Sequence, residues 1–151
     1  MREPRTIPSI WQWSDRWAPE VLHLADGANP AGNDYTSTYW HSREILGINC
    51  RVTTDANPAS RYLQISLSHA GNVYAVAHAH SSQIASKNYR YHFQRTGIMF
   101  LTTFINNNLF ENLPENFLWL PDTTLRVYLE NGLNADLIHE IVITSRRWRV
   151  A

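Results

Sequence analysis

Three consecutive segments between Arg43 and Phe93 alternate between apolar and polar residues, and this alternation restricts the fold more than any other feature of the chain. The alternating apolar residues are Leu46, Ile48, Cys50 and Val52, then Leu63, Ile65 and Leu67, and finally Val73 at the start of the third segment. Residues 53–60 and Ala70–Asn72 are rich in turn-forming residues and separate the segments. Because successive side chains of a strand point to opposite faces, a period of two predicts antiparallel strands with one buried face.

Short strands are predicted along the rest of the chain as well. They cover Glu20–Ala25, Tyr35–Trp40, Tyr89–Phe93, Ile98–Ile105, Phe117–Leu120, Leu125–Leu129 and Leu137–Trp148, with a loop from Asn106 to Pro114. Turn signals recur about every 8–12 residues and no long amphipathic helix is evident, which is typical of an all-β sandwich of two antiparallel sheets. About eight strands with long crossing loops favour a jelly roll over a simple meander.

The length of 151 residues suits one domain. We expect a single jelly-roll domain over residues 20–151, preceded by an extended arm over residues 1–19. Three prolines interrupt regular structure in this arm, and Trp11, Trp13 and Trp17 make it too apolar for a free tail. The arm is therefore predicted to dock on its own domain or on a neighbouring subunit.

The charge composition argues against two classes of function. Thirteen basic and thirteen acidic residues give a net charge of zero, whereas a general nucleic-acid binder or a protein that adheres to anionic membranes needs a basic excess. We therefore expect neither nucleic acid nor membrane as a direct partner. The N-terminal sequence lacks an apolar signal segment, so synthesis in a cytoplasm is expected.

The basic residues are almost all arginine: twelve are Arg and only Lys87 is Lys. Arg is enriched at protein interfaces and Lys is depleted there, although a bias in genome composition would produce the same ratio. Both chain ends combine Arg with Trp, and the predicted interface residues are Arg2, Arg5, Trp11, Trp13, Trp17, Arg146, Arg147, Trp148 and Arg149. The C-terminal cluster suits an acidic partner surface, pairing with carboxylates of the same chain, or an ordinary solvated strand end.

The histidine pair His78 and His80 is the one metal-like motif. Two histidines at i and i+2 on a strand project from one face, as in metalloenzymes of the cupin type. Such a site also needs a carboxylate a few residues later and a further histidine, for which only His92 and His139 are available. Since residues 81–85 contain no carboxylate, no metal or other cofactor is predicted.

Catalytic motifs are not evident either. Glu111, Glu115, Asp122 and Asp136 fall in predicted loops, where turn formation and solvation explain them. The single cysteine, Cys50, lies on a predicted inward face and is interpreted as a small buried hydrophobic residue. The chain is therefore predicted not to be an enzyme.

The aromatic residues leave one alternative open, a sugar-binding surface. The candidate stacking platforms are Trp11, Trp13, Trp17, Trp40, Tyr62, Tyr74 and Tyr128.

Several segments resemble a diffuse family of small virion proteins of tailed bacteriophages. The resemblance covers roughly residues 43–145 and comprises a strand ending in a Thr-Asp turn, an Arg that opens the next strand, a Gly-Asn turn and a Gln-x-Ala-Ser stretch. Its segments here are 43–55, 59–67, 71–73, 83–86, 89–93, 120–127 and 136–143. The N-terminal arm has no counterpart in this pattern.

The resemblance implies a jelly-roll cement or decoration protein that binds assembled capsids, commonly as a trimer. The expected partners are then further copies of this chain and the phage major capsid protein, and the expected location is the outer capsid surface of the virion. Some proteins of this kind occupy head–tail or tail positions instead, so a tail or baseplate component, including a receptor- or glycan-binding module, is the alternative expectation.

Overall fold

A computed structural model of the chain describes residues 17–23, 34–39, 42–95, 103–115 and 117–148. These residues form eleven β-strands: β1 Trp17–His23, β2 Asp34–Tyr39, β3 Arg43–Thr53, β4 Tyr62–His69, β5 Asn72–His78, β6 Asn88–Gln94, β7 Thr103–Ile105, β8 Asn108–Asn112, β9 Leu118–Trp119, β10 Thr123–Glu130 and β11 Leu137–Trp148. Within the same ranges, no helix is long and apolar enough to span a bilayer.

Eight of the strands form two four-stranded antiparallel arrays, in the orders β1-β11-β3-β6 and β2-β10-β4-β5. The pairs β4·β5, β3·β6, β2·β10 and β1·β11 are nested, as though one long hairpin had been folded over itself. This order is that of a jelly roll. The predicted fold class, an antiparallel two-sheet sandwich of jelly-roll type, is thus confirmed.

Three short strands between β6 and β10 extend the first array to a seven-stranded sheet. β8 pairs with β6 in parallel and with β7 in antiparallel orientation, and β9 pairs with the beginning of β3. The prediction of a loop from Asn106 to Pro114 is therefore wrong. Asn106 and Asn107 have positive φ and form the tight turn between β7 and β8, and the polar residues around them conceal the short alternation of β8.

The core lies between the two sheets and is formed by their inward-facing alternate residues, including Ile48, Val52, Leu63, Ile65 and Ile143, none of which is exposed to solvent. At full burial each such side chain stabilises the fold by about 1.5–3 kcal/mol. The jelly-roll core therefore accounts for the alternation along the chain.

A β-bulge changes the predicted phase of β3 at its beginning. Gly47 pairs with Thr144 and Ile45 pairs with Ser145, so Leu46 is an extra residue on its strand. Ile45 is consequently fully buried, whereas Leu46 is only half-buried. The prediction that Leu46 belongs to the buried series is wrong because simple alternation cannot anticipate an inserted residue.

The two ends of the described chain meet at the edge of the seven-stranded sheet. β1 begins at Trp17, which pairs in register with Trp148, so residues 17–19 of the predicted arm belong to the jelly roll. Pro19 is tolerated because β1 is an edge strand, where a missing N–H group costs no ladder hydrogen bond. The predicted interface residues Arg2, Arg5, Trp11, Trp13 and Arg149 lie outside the described residues.

Candidate functional site

A network of buried polar side chains closes one end of the sandwich. We call it the polar clasp and define it as Thr54, Asp55, Arg61, Gln83 and Asp136. These residues lie in the three connections β3–β4, β5–β6 and β10–β11. The three connections are far apart in sequence but lie close together in space. The clasp therefore ties together three loops that have no β-ladder of their own.

Arg61 is the centre of the clasp and is completely buried. Its guanidinium forms a bidentate pair with Asp136, with Nε–Oδ2 and Nη2–Oδ1 distances of 2.8 and 3.1 Å, and Nη2 also donates to Oδ1 of Asp55 at 2.6 Å. Nη1 donates to the carbonyl oxygens of Asn57 and Ala59 at 3.0 and 3.1 Å. All five N–H groups are thus used inside the chain, and none remains for a ligand.

Asp136 is held in its ionised form by its surroundings. Burial by itself would raise its pKa, but hydrogen bonds from Arg61 and from the backbone N–H groups of Leu133 and Asp55, together with the Arg61 charge, lower the pKa below its ordinary value. A carboxyl group so held is an ion-pair partner and is not suited to act as a general acid at neutral pH.

Gln83 and Thr54 complete the clasp. The Gln83 amide donates to the carbonyl oxygen of Val52 at 2.9 Å and accepts from the Tyr91 hydroxyl at 3.1 Å. The Thr54 hydroxyl donates to the carbonyl oxygen of Ile84 at 2.6 Å. The segments that resemble the virion proteins contribute a Thr-Asp turn, an Arg and a Gln to this clasp. These residues therefore hold loops together, and they do not form an exposed reactive site.

A second charged group lies at the opposite end of the sandwich. We call it the arginine cluster and define it as Arg95 and Arg146 with Glu44 between them. Oε2 of Glu44 binds Nη2 of Arg146 at 2.8 Å, and Oε1 binds Nη1 of Arg95. Glu44 is nearly buried, whereas the side chains of Arg95 and Arg146 are 34% and 42% exposed.

Strand pairing explains how these residues meet. Glu44 and Arg146 face each other across the β3–β11 ladder. Arg95 directly follows β6, and its N–H donates to the carbonyl oxygen of Leu46 at 2.9 Å, which fixes the chain beside the beginning of β3. Two guanidinium groups, those of Arg95 and Arg146, thus share the Glu44 carboxylate at this end of the sheet.

The structure brings several predicted interface residues to this place. Arg146 belongs to the arginine cluster, Arg147 pairs in register with Arg43, and Trp17 pairs with Trp148. Arg146 thus follows the predicted alternative of pairing with a carboxylate of its own chain, while part of its guanidinium stays accessible. Sequence reasoning missed Glu44 and Arg95 because only the strand register relates them to the C-terminus.

The histidine pair acquires a carboxylate that the local sequence lacks. Nδ1 of His80 lies 2.9 Å from Oε2 of Glu111, and the His80 backbone N–H donates to Oε1 at 3.0 Å. Glu111 is buried on β8, so its predicted loop position is wrong. His78 stacks on Tyr62 and lies edge-on to His80. Among the described residues, no three His, Cys, Asp or Glu side chains converge as metal ligands.

The predicted stacking tyrosines have hydroxyl partners or ring contacts within the chain. The Tyr128 hydroxyl donates to Oε1 of Gln64 at 2.5 Å and the guanidinium of Arg126 lies over its ring at 4.3 Å. The Tyr74 hydroxyl donates to the carbonyl oxygen of Leu118 at 2.8 Å. These contacts support the sheet surface, and Trp40 lies outside the described residues.

Comparison with known proteins leaves the family open: no protein-family model matches this chain, and no curated protein matches it either.

Proposed function

We propose that this protein is a structural component of a bacteriophage virion, a cement protein that stabilises the assembled head through protein–protein contacts. The resemblance over residues 43–145 supplies the class of protein. The observation that carries the proposal is the arginine cluster, where Arg146 and Arg95 flank Glu44 beside the paired ends Trp17 and Trp148. In this proposal the cluster is the contact with the capsid.

The chemistry of the cluster suits an acidic rim on a partner protein. Glu44 holds the two half-exposed guanidinium groups in place, so less side-chain entropy is lost when they bind a carboxylate. Arg and Trp are the residue types that most often dominate binding energy at interfaces. Two arginines that share one carboxylate add electrostatic attraction to an acidic surface.

In this proposal the protein reinforces the capsid mechanically, as a rigid domain attached to the shell. The polar clasp and the jelly-roll core supply a rigid platform, and the arginine cluster with the N-terminal arm supplies attachment. A stable interface buries about 1,200–2,000 Å². In a homotrimer three such contacts act together, so avidity multiplies the affinity of each one without a new type of contact.

Rebinding to particles depleted of this protein tests the role of the cluster. Replacement of both Arg95 and Arg146 by Gln removes their charge while keeping much of the side-chain volume. We expect it to cost about 2 kcal/mol or more in binding, a roughly thirtyfold loss of affinity in co-sedimentation. The matched control is Arg126→Gln, an exposed arginine on the four-stranded sheet. Equal binding by both variants would contradict the proposal.

Deletion of residues 2–16 tests the arm separately, because it leaves β1 intact from Trp17 onward. Reduced capsid binding or a change of oligomeric state is the expected result. If both properties stay unchanged while the melting temperature is unaltered, the arm has no role in attachment.

A tail or baseplate component that binds a receptor is the second candidate function. It is favoured by a polar cleft on the outer face of the seven-stranded sheet, lined by Asn49, Cys50, Arg90, His92, Gln94, Glu140 and Val142. Proteins of this class are present in few copies, so the number of copies in each particle distinguishes the two candidates.

A further inference from the structure

The outer face of the seven-stranded sheet contains a cleft of about 310 Å³ above β3, between β11 and β6. This volume lies at the lower end of the range for small-molecule sites, about 300–1,000 Å³. Asn49 forms part of its floor, Glu140 and Val142 line the side of β11, and Arg90 and His92 line the side of β6. None of the residues that line the cleft belongs to the polar clasp or to the arginine cluster.

The imidazole of His92 is fixed in position from three sides. Nδ1 lies 2.7 Å from Oδ1 of Asn49 and Nε2 lies 3.0 Å from Oδ1 of Asn108. The ring stacks on Phe110 with a centroid distance of 4.8 Å and an interplanar angle of 15°. The half-buried ring therefore has both nitrogens and one face engaged and holds the Asn49 amide in place, so a ligand that binds beside it immobilises few further side-chain rotamers.

A second β-bulge places Glu140 at one end of the cleft. Register passes from His139 opposite Arg51 to Val142 opposite Asn49, so Glu140 and Ile141 together face a single residue of β3. Glu140 has a φ of 50°, which is unfavourable for a residue with a Cβ atom. Bulges of this kind redirect a side chain and are over-represented beside binding sites.

The charges at this end of the cleft do not balance. Glu140 binds Arg90 at 2.8 Å and lies 3.4 Å from Nε of Arg51, and the two arginines are direct neighbours across β3 and β6. Two guanidinium groups thus share one carboxylate, and one positive charge remains. All three side chains are between 34% and 43% exposed; Arg90 and Glu140 line the cleft, and Arg51 lies beside it.

We propose that this cleft binds a saccharide that carries a carboxylate. The planar amide groups of Asn49 and Gln94 present donors and acceptors to ring hydroxyls, as polar groups in sugar sites do, and the His92 ring holds the Asn49 amide in position. Arg90 lines the cleft and binds the carboxylate through charge-assisted hydrogen bonds, and the charge of Arg51 beside the cleft adds attraction. Val142 offers an apolar contact to the C–H groups of the ring.

The single excess charge determines the charge of the ligand. A carboxylate brings one negative charge and matches the excess, whereas a phosphate monoester brings nearly two and meets Glu140 at close range. An uncharged sugar leaves the arginine pair unused. The proposal does not depend on the capsid role, because the cleft uses none of the residues of the arginine cluster.

Titration of the full-length ¹⁵N-labelled chain by NMR tests the proposal directly. The acidic ligands are trigalacturonate and sialyllactose, which separate a uronic acid source from a sialic acid source, and their neutral counterparts are maltotriose and lactose. We expect saturable shifts of the amide signals of Asn49, Arg90, His92 and Val142 with at least one acidic ligand and weaker shifts with its neutral counterpart. Absence of saturable shifts with both acidic ligands would overturn the proposal.

Two variants locate the site. Arg90→Gln and Gln94→Ala alter accessible groups at opposite ends of the cleft. Arg90→Gln is expected to weaken acidic-sugar binding about tenfold or more, the loss of a hydrogen bond to a charged group, and Gln94→Ala about threefold, the loss of a hydrogen bond to a neutral hydroxyl. Arg126→Gln on the other sheet is the matched control and should bind as the unmodified chain does. Binding unchanged in both cleft variants, with melting temperatures unchanged, would also overturn the proposal.

Discussion

Arg61 and Asp136 form a bidentate ion pair across 75 residues of sequence, and neither side chain is exposed to solvent. The pair joins the residue that precedes β4 to the residue that precedes β11, so it connects the two sheets at the closed end of the sandwich. Removal of one partner leaves a buried charge without compensation, and that consequence can be measured.

Asp136→Asn should destabilise the fold strongly. The amide keeps the size of the side chain but loses the charge that compensates Arg61, and breaking a buried pair typically costs about 3–5 kcal/mol. Urea denaturation followed by tryptophan fluorescence gives the free energy of unfolding. Asp122→Asn is the matched control, because Asp122 is exposed, and it should change stability by less than about 0.5 kcal/mol. A loss below about 1 kcal/mol in Asp136→Asn would contradict a central role of the clasp.

The same carboxyl group predicts a pH dependence of stability. Because its pKa is lowered in the folded state, its stabilising contribution is fully present above the unfolded value of about 3.9 and is lost as pH falls through that value toward the folded pKa. Thermal melts of the unmodified chain and Asp136→Asn should therefore differ most near neutral pH and converge in acid. A difference that stays constant down to the acid limit of folding would show that the charge of Asp136 contributes nothing.

The hairpin between β4 and β5 contains a position at which a substitution is expected to raise the stability of the fold. Ala70 and Gly71 both have positive φ, 47° and 81°, and a residue with a Cβ atom at such a position costs about 1–2 kcal/mol. Ala70→Gly removes this cost but adds backbone entropy to the unfolded chain, so a net gain of up to about 1 kcal/mol is expected. Ala59→Gly, at a position without positive φ, should be destabilising instead. Denaturation midpoints compare the two, and equal losses would refute the turn assignment.

Cys50 should be unreactive in the folded protein. Burial raises the pKa of its thiol to about 12, and only the thiolate attacks disulfide reagents. Labelling with a chromogenic disulfide should therefore be slow under native conditions and rapid in denaturant. Rapid labelling of the native chain would mean that β3 opens readily and that its core packing is weak.

The strands with a long alternating pattern could be predicted from sequence. Leu137–Trp148 is a single strand as predicted, and the jelly-roll class follows from the number and spacing of such segments. β8 was not predicted because Glu111, one of its inward-facing residues, is charged. A charged residue at an inward position interrupts the apolar–polar alternation by which a buried strand face is recognised. The bulges at Leu46 and Glu140 were not predicted because an inserted residue depends on the neighbouring strand.

The sites were less predictable than the fold. Arg61 meets Asp136 where two loops pack together, and Glu44 meets Arg95 and Arg146 where strands pair, across 51 to 102 residues of sequence. Local periodicity carries no information about such pairs. Residues near the C-terminus could be proposed from composition because Arg and Trp are concentrated there. Their carboxylate partner could not be proposed, since Glu44 follows Arg43 at the start of an ordinary strand.

The measurement that tests the cement proposal most directly is the number of copies of this protein in each purified particle, relative to the major shell protein. Quantitative mass spectrometry with labelled peptides of both chains provides the ratio. We expect a number that matches the repeated sites of the shell, with about the same ratio in tailless heads. A protein that is absent from particles, or present in a few copies that are lost with the tail, would contradict it.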